Sequence, residues 1–86
     1  MNKSIYSRQS ESLRKTLVAL REGAGLTQRQ LAEKLEREHS LIGRLELGER
    51  RLDVVEFYQI CKACGVNPEA AARSLMRKFR GIESSP

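Results

Sequence analysis

The chain has 86 residues, which is enough for one hydrophobic core and too few for a second domain. It carries 16 Lys and Arg against 11 Asp and Glu, a net charge of +5 that favours a polyanionic partner without locating a site. No stretch approaches the roughly 20 apolar residues that cross a bilayer, and residues 1–12 lack the apolar run of a secretory signal. We therefore expect a soluble, intracellular protein, located in the cytoplasm.

The two cysteines, Cys61 and Cys64, form a lone CxxC pair. Zinc requires four ligands, and the single histidine, His39, is distant in sequence with no second pair nearby. A redox-active pair needs a helix N-terminus after a strand to lower the thiol pKa, whereas this pair lies inside an apolar helical pattern. We interpret both cysteines as small core side chains and predict no metal and no cofactor.

A first helix is predicted over residues 8–22, because its leucines recur on one face. Ser7 or Ser10 is a candidate cap at its start, and Gly23 or Gly25 can supply the left-handed residue that ends it. The leucines of the stripe are Leu13, Leu17 and Leu20.

A second helix follows Thr27, which with Gln30 has the spacing of a capping box. A break at residues 36–38 separates it from a short third helix over residues 39–47, which Gly48 ends. The apolar residues predicted to face the core from these two helices are Leu31, Ala32, Leu35, Ile42 and Leu45.

Asp53 and Glu56 repeat the capping arrangement before a fourth helix. Asn67 followed by Pro68 is a cap and a favoured first residue for a fifth helix, which continues towards Gly81. The predicted inward residues of these helices are Val54, Phe57, Ile60, Cys61, Cys64, Ala71, Leu75 and Phe79.

No alternating apolar pattern of a strand occurs, so the predicted fold class is all-α, a compact bundle of five helices. The predicted organisation is an N-terminal extension over residues 1–7, a helical domain over 8–80 and a frayed C-terminal tail over 81–86.

The stretch most informative about function is residues 26–48, LTQRQLAEKLEREHSLIGRLELG. It sets a capped helix, a short turn and a second short helix in succession, with the small Ala32 allowing the two helices to cross closely. The second helix then has one free face and is narrow enough to enter a major groove about 12 Å wide. This arrangement predicts a helix-turn-helix.

Residues 13–68 resemble the phage-repressor-like helix-turn-helix family, the Cro/C1 or XRE type, whose domain is lambda-repressor-like. The likeness covers about two-thirds of the chain and is specific because many elements occur in order. They are Leu17, Leu20 and Arg21; Gly25-Leu26-Thr27-Gln28; Leu31-Ala32 and Leu35; Ser40, Ile42, Arg44, Leu45, Glu46 and Gly48; the run GERRLDVVEF at 48–57; and Cys64-Gly65-Val66-Asn67-Pro68.

The resemblance implies a recognition helix at residues 39–46 and roles for individual side chains. Gln28 would contact a phosphate and brace the recognition helix. Arg44 would bond guanine O6 and N7, or a phosphate if it swings outward. Arg50 and Arg51 would contact the DNA backbone. The implied DNA-binding set is Gln28, Arg29, His39, Ser40, Leu41, Gly43, Arg44, Arg50 and Arg51.

Several residues depart from the pattern of the family. Glu36 stands where the turn usually has glycine, so a left-handed backbone there would be strained. Leu41 is apolar at a position often exposed, where it could touch a thymine methyl, a neighbouring helix or a partner. Gly43 offers no side chain to the groove and weakens the helix by roughly 1 kcal/mol relative to alanine. Glu46 is interpreted as structural, bonding to helix 2 or to Arg21.

The resemblance implies a DNA-binding transcriptional regulator, a repressor that binds an inverted-repeat operator as a homodimer. The predicted dimer surface is helix 5 with Ile5 or Tyr6, and its residues are Leu75, Met76 and Phe79. The alternative is an antitoxin or anti-repressor that meets a protein partner through helix 3, with Leu41 exposed and Glu36 and Glu38 nearby. An enzyme is not expected, because no nucleophile motif or phosphate-binding glycine loop is present.

Overall fold

The computed structural model describes residues 4–85, which form five helices and no strand. The helices are α1 (Ile5–Gly23), α2 (Gln28–Lys34), α3 (Leu41–Leu47), α4 (Val54–Ala63) and α5 (Pro68–Ser84). The predicted all-α, five-helix class is therefore confirmed. Within residues 4–85, no helix is both long enough and apolar enough to span a membrane.

Helix α1 begins earlier than its apolar stripe indicates. Ser4 is the cap, and its hydroxyl accepts a hydrogen bond from the Ser7 amide at 3.0 Å. Ser7 and Ser10 lie inside the helix, so their prediction as caps was wrong. At the other end Gly25 adopts a left-handed φ of 72°, which makes it the terminating glycine of the two that the sequence offered.

The predicted caps of the other helices are confirmed. In α2, Thr27 Oγ1 accepts from the Gln30 amide at 3.0 Å and Gln30 Oε1 accepts from the Thr27 amide at 2.9 Å. Asp53 and Glu56 form the same reciprocal pair at the start of α4. Asn67 accepts from the Ala70 amide at 3.1 Å, with Pro68 as the first residue of α5.

The core lies where α1 packs along α5 and α3, while α4 packs on α5 and α2. Cys61 is fully buried in this core and Cys64 is half-buried at its edge. Burial raises the pKa of both thiols, which disfavours the reactive thiolate and agrees with their interpretation as packing residues. The buried hydrophobic residues are Leu17, Leu31, Ala32, Leu41, Ile42, Leu45, Phe57, Ile60, Cys61 and Leu75.

Two predictions about α4 and α5 were wrong. Val54 is 80% exposed, because a side chain in the first turn points back towards the helix start and away from the core. Helix α5 passes through Gly81 to Ser84, so residues 81–84 of the predicted tail are helical. Ile82, in this extension, is half-buried and lines a surface groove together with Arg8 of α1.

The turn between α2 and α3 contains the chain's one left-handed residue other than glycine within residues 4–85. Glu36 has a φ of 55°, as the departure from the expected glycine indicated. This conformation brings the Arg37 amide back to the Ala32 carbonyl at 2.9 Å, which closes the end of α2. The helix-turn-helix geometry is therefore obtained at a conformational cost that glycine would not incur.

We expect Glu36→Gly to stabilise the protein by roughly 0.5–1 kcal/mol. The left-handed conformation costs a residue with a side chain about 1–2 kcal/mol, and the greater unfolded-state freedom of glycine cancels part of the gain. Urea denaturation followed by circular dichroism measures the difference. Glu33→Gly, in the right-handed backbone of α2, is the matched control and should destabilise by about 1 kcal/mol. A loss of stability in Glu36→Gly would contradict the assignment of strain.

Candidate nucleic-acid interface

The inner face of α3 is closed against the protein. Leu41, Ile42 and Leu45 are buried, and Ala32 of α2 is fully buried where the two helices cross. Leu41 is only 1% exposed, so its prediction as a DNA-binding residue is wrong. Of the three contacts suggested for Leu41, it makes the one with neighbouring helices. It lies one turn before Leu45 on the same face of α3, and that face is buried.

The outer face of α3 is open to solvent. Ser40 and Arg44 are exposed, and Gly43 lies between them. Leu47 is 71% exposed and continues the same face, being seven residues after Ser40. The sequence analysis missed Leu47, although the spacing 40, 43, 44 and 47 would have placed it there. This face is therefore polar at its N-terminal end and apolar at its C-terminal end.

A nearly buried ion pair holds α3 to α1. Arg21 Nε donates to Glu46 Oε2 at 2.7 Å and Arg21 Nη2 donates to Oε1 at 3.1 Å, with the two side chains 13% and 7% exposed. The remaining Arg21 nitrogen donates to the Leu26 carbonyl at 3.0 Å. The hydrogen bonds to Glu46 raise the pKa of Arg21. Glu46 is thus structural, as predicted, and Arg21 is the first of its two predicted partners.

Gln28 joins the same cluster from α2. Its Nε2 donates to Glu46 Oε1 at 2.8 Å, which braces α3 from the first turn of α2. Gly43 makes room for this contact: a Cβ at position 43 would lie 3.2 Å from Gln28 Oε1. The glycine that weakens α3 locally therefore lets the helix approach Gln28.

A second ionic cluster lies at the start of α4. Arg50 donates through two nitrogens to the two oxygens of Glu56, at 2.9 and 2.8 Å, and Arg37 donates to Glu56 at 3.3 Å. The Arg50 guanidinium, the Asp53 amide and Arg37 together hold the pKa of Glu56 down to about 2, although burial opposes this. Arg50 also donates to the Arg51 carbonyl at 2.8 Å. Arg50, predicted to contact DNA, is thus turned towards α4.

The other predicted site residues lie on the surface. His39 and Ser40 are exposed immediately before α3, and Ser40 makes no side-chain capping bond. Arg29 is exposed on α2 and pairs loosely with Glu33 at 3.7 Å. Arg44 and Arg51 are exposed, and neither has a side-chain partner within residues 4–85. The structure therefore places His39, Ser40, Gly43 and Arg44 from just before α3 to its middle, and leaves Arg51 beyond its C-terminal end.

Comparisons with known proteins agree with this geometry. The helix-turn-helix domain family matches residues 12–75. The solved structure of an XRE-family-like protein from Pseudomonas syringae pv. tomato str. DC3000 is 36% identical to this chain and superposes with a TM-score of 0.80. That alignment covers 86% of this chain and 90% of the other. A search of curated proteins found no match.

Two short helices crossed at a turn, with the second one open on its outer face, define a helix-turn-helix DNA-binding domain. The chain belongs to the XRE-type helix-turn-helix family, a family of DNA-binding regulators. The predicted family is confirmed.

We expect Glu56 to contribute stability that acid removes. Its pKa is about 2 in the folded protein, against 4.5 ordinarily, so the contribution is complete above about pH 4.5 and is lost as the pH falls towards 2. The contribution is on the order of 3 kcal/mol, since each pKa unit corresponds to about 1.4 kcal/mol. Other carboxylates titrate in this range, so the measurement compares urea denaturation of the wild type and Glu56→Gln. Their difference should shrink between about pH 6 and pH 2, and a constant difference would contradict the assignment.

Proposed function

We propose that this protein is a sequence-specific transcriptional repressor that inserts α3 into the major groove of an operator. The observation that carries the proposal is the open outer face of α3 at Ser40, Arg44 and Leu47, which are all exposed, on a helix held to α1 through Glu46. Repression needs no further chemistry, because a protein bound across a promoter blocks access to it. The proposed site of action is the cytoplasm.

The exposed side chains divide into two groups by what they can reach. His39 and Ser40 lie just before α3 and Arg44 lies at its middle, on the part of the helix that would enter the groove, and Arg44 is suited to guanine O6 and N7. Leu47 replaces Leu41 as the apolar residue available to a thymine methyl. Gln28, Arg29 and Arg51 are suited to phosphates, which fix the register of the helix without reading sequence. Gly43 permits close approach of the backbone.

A homodimer on an inverted repeat is part of the proposal. One α3 of seven residues presents few base-reading side chains, so two half-sites are needed for useful affinity. The predicted dimer surface must be revised, because Leu75 is buried and Phe79 packs against the core. Met76, Ile5 and Tyr6 remain exposed and available to a second copy.

The alternative function, an antitoxin or anti-repressor meeting a protein through Leu41, loses its premise. That hypothesis required Leu41 to be exposed, and the side chain is inside the core. No other observation favours it over DNA binding.

Selection of bound fragments from random duplex DNA tests the proposal most directly. We expect an inverted repeat whose half-site centres are about 34 Å apart, or a multiple of that distance. Light scattering of the complex with the selected duplex should show two chains per operator. Enrichment of no sequence would contradict the proposal, and a selected site without symmetry or a monomer on the duplex would contradict the dimer.

Arg44 and Arg51 should fail in different ways when each is replaced by alanine. Arg44→Ala should cost roughly 1–3 kcal/mol on the selected site and relax the preference at one base pair. Arg51→Ala should weaken binding to all sequences alike and lower the salt slope by about one. Fluorescence anisotropy over a series of single-base variants and salt concentrations measures both. An Arg44→Ala protein with unchanged affinity and preference would remove Arg44 from the base-reading set.

A further inference from the structure

We propose that Glu56 is a positioning residue for sequence discrimination, holding in place the two segments that flank the recognition helix. The inference rests on the proposed function, since it concerns how α3 is presented to a duplex. Glu56 lies outside the helix-turn-helix, in the first turn of α4, and no role in DNA binding follows from its place in the sequence.

The Glu56 carboxylate accepts hydrogen bonds from side chains on both sides of α3 in the sequence. Arg37, in the turn before α3, donates to Glu56 Oε2 at 3.3 Å. Arg50, three residues after the end of α3, donates to both oxygens at 2.9 and 2.8 Å. The carboxylate is 11% exposed and also accepts from the Asp53 amide, so its own orientation is fixed by the helix that carries it.

Helix α3 needs such support because few interactions within the helix stabilise it. It has seven residues, its cap residue Ser40 makes no side-chain bond, and it contains Gly43. A helix of this length is not stable alone, so its position is set by what it contacts. The Arg21–Glu46 pair fixes its inner side. The cluster at Glu56 is the second attachment, and it alone ties the preceding turn to the following loop by ion pairs within residues 4–85.

Glu56→Gln separates this role from helix capping. Gln30 already performs the same capping bond at the third position of α2, so glutamine at position 56 retains the bond to the Asp53 amide. The substitution removes the negative charge that holds Arg37 and Arg50. Glu83→Gln is the matched control: it makes the same change of charge on an exposed residue in the last turn of α5, remote from α3.

The experiment measures the affinity of the full chain for its selected duplex and for a scrambled duplex of equal length. Binding is measured by fluorescence anisotropy, at a temperature at which circular dichroism shows each variant to be folded. We expect Glu56→Gln to lower the ratio of the two affinities about fivefold or more, the size of one misplaced base contact. Its affinity for the scrambled duplex should not fall below that of Glu83→Gln, because both variants lose one negative charge and the arginines released in Glu56→Gln can still contact phosphate.

The outcomes separate the inference from the function on which it rests. If the wild type does not distinguish the two duplexes, the proposed function fails and the role of Glu56 falls with it. If the wild type distinguishes them and Glu56→Gln retains the wild-type ratio, only the positioning role is overturned. An equal loss of affinity for both duplexes would also overturn it, since that result describes general damage to the fold.

Discussion

The bidentate pair between Arg21 and Glu46 is the interaction on which the rest of this structure depends. It joins α1, the longest helix, to α3, the helix proposed to meet DNA, and it is nearly removed from solvent. Removing one partner of such a pair leaves a buried charge without compensation, which is far more costly than loss of an exposed pair. The pair therefore sets the position of α3 with a precision that apolar contacts alone do not provide.

The attachment of α3 to α1 determines which face of α3 is exposed. Leu41, Ile42 and Leu45 bury one side of α3, and the hydrogen bonds to Glu46 fix its rotation about its own axis. Once the rotation is fixed, the face bearing Ser40, Arg44 and Leu47 is the one left in solvent, and Gly43 lies at its edge beside Gln28. The open face is thus a consequence of how the opposite side is held.

Much of this arrangement could be predicted from the sequence, because helix caps and turns depend on a few neighbouring residues. The capping pairs at Thr27 and Asp53 and the left-handed position at Glu36 were predictable because each depends on a few neighbouring residues. Glu46 was predicted to bond either to helix 2 or to Arg21, and it bonds to both; local rules did not show this, because contacts spanning 18 and 25 residues depend on how the helices pack.

The errors have physical causes of the same kind. Leu41 was placed by its position in the motif, while its spacing of four from Leu45 put it on the buried side. Val54 follows the apolar pattern of α4 but lies in its first turn, where the side chain does not reach the core. Gly81 marked a helix end by local propensity, but that preference is only about 1 kcal/mol and α5 continues through it to Ser84.

The two glutamates at the centres of the ionic clusters also shape the charge that a duplex would meet. Glu46 is matched by Arg21, and Glu56 by Arg37 and Arg50, so neither presents a bare negative charge beside α3. Arg44 and Arg51 keep their charges available, while Glu36 and Glu38 remain exposed near the turn. Attraction to phosphate is therefore modest for a single domain, since salt-dependent affinity grows with the number of phosphates neutralised. A face of this kind gains most by reading bases with a few well-placed side chains, and that in turn requires α3 to be held in one position.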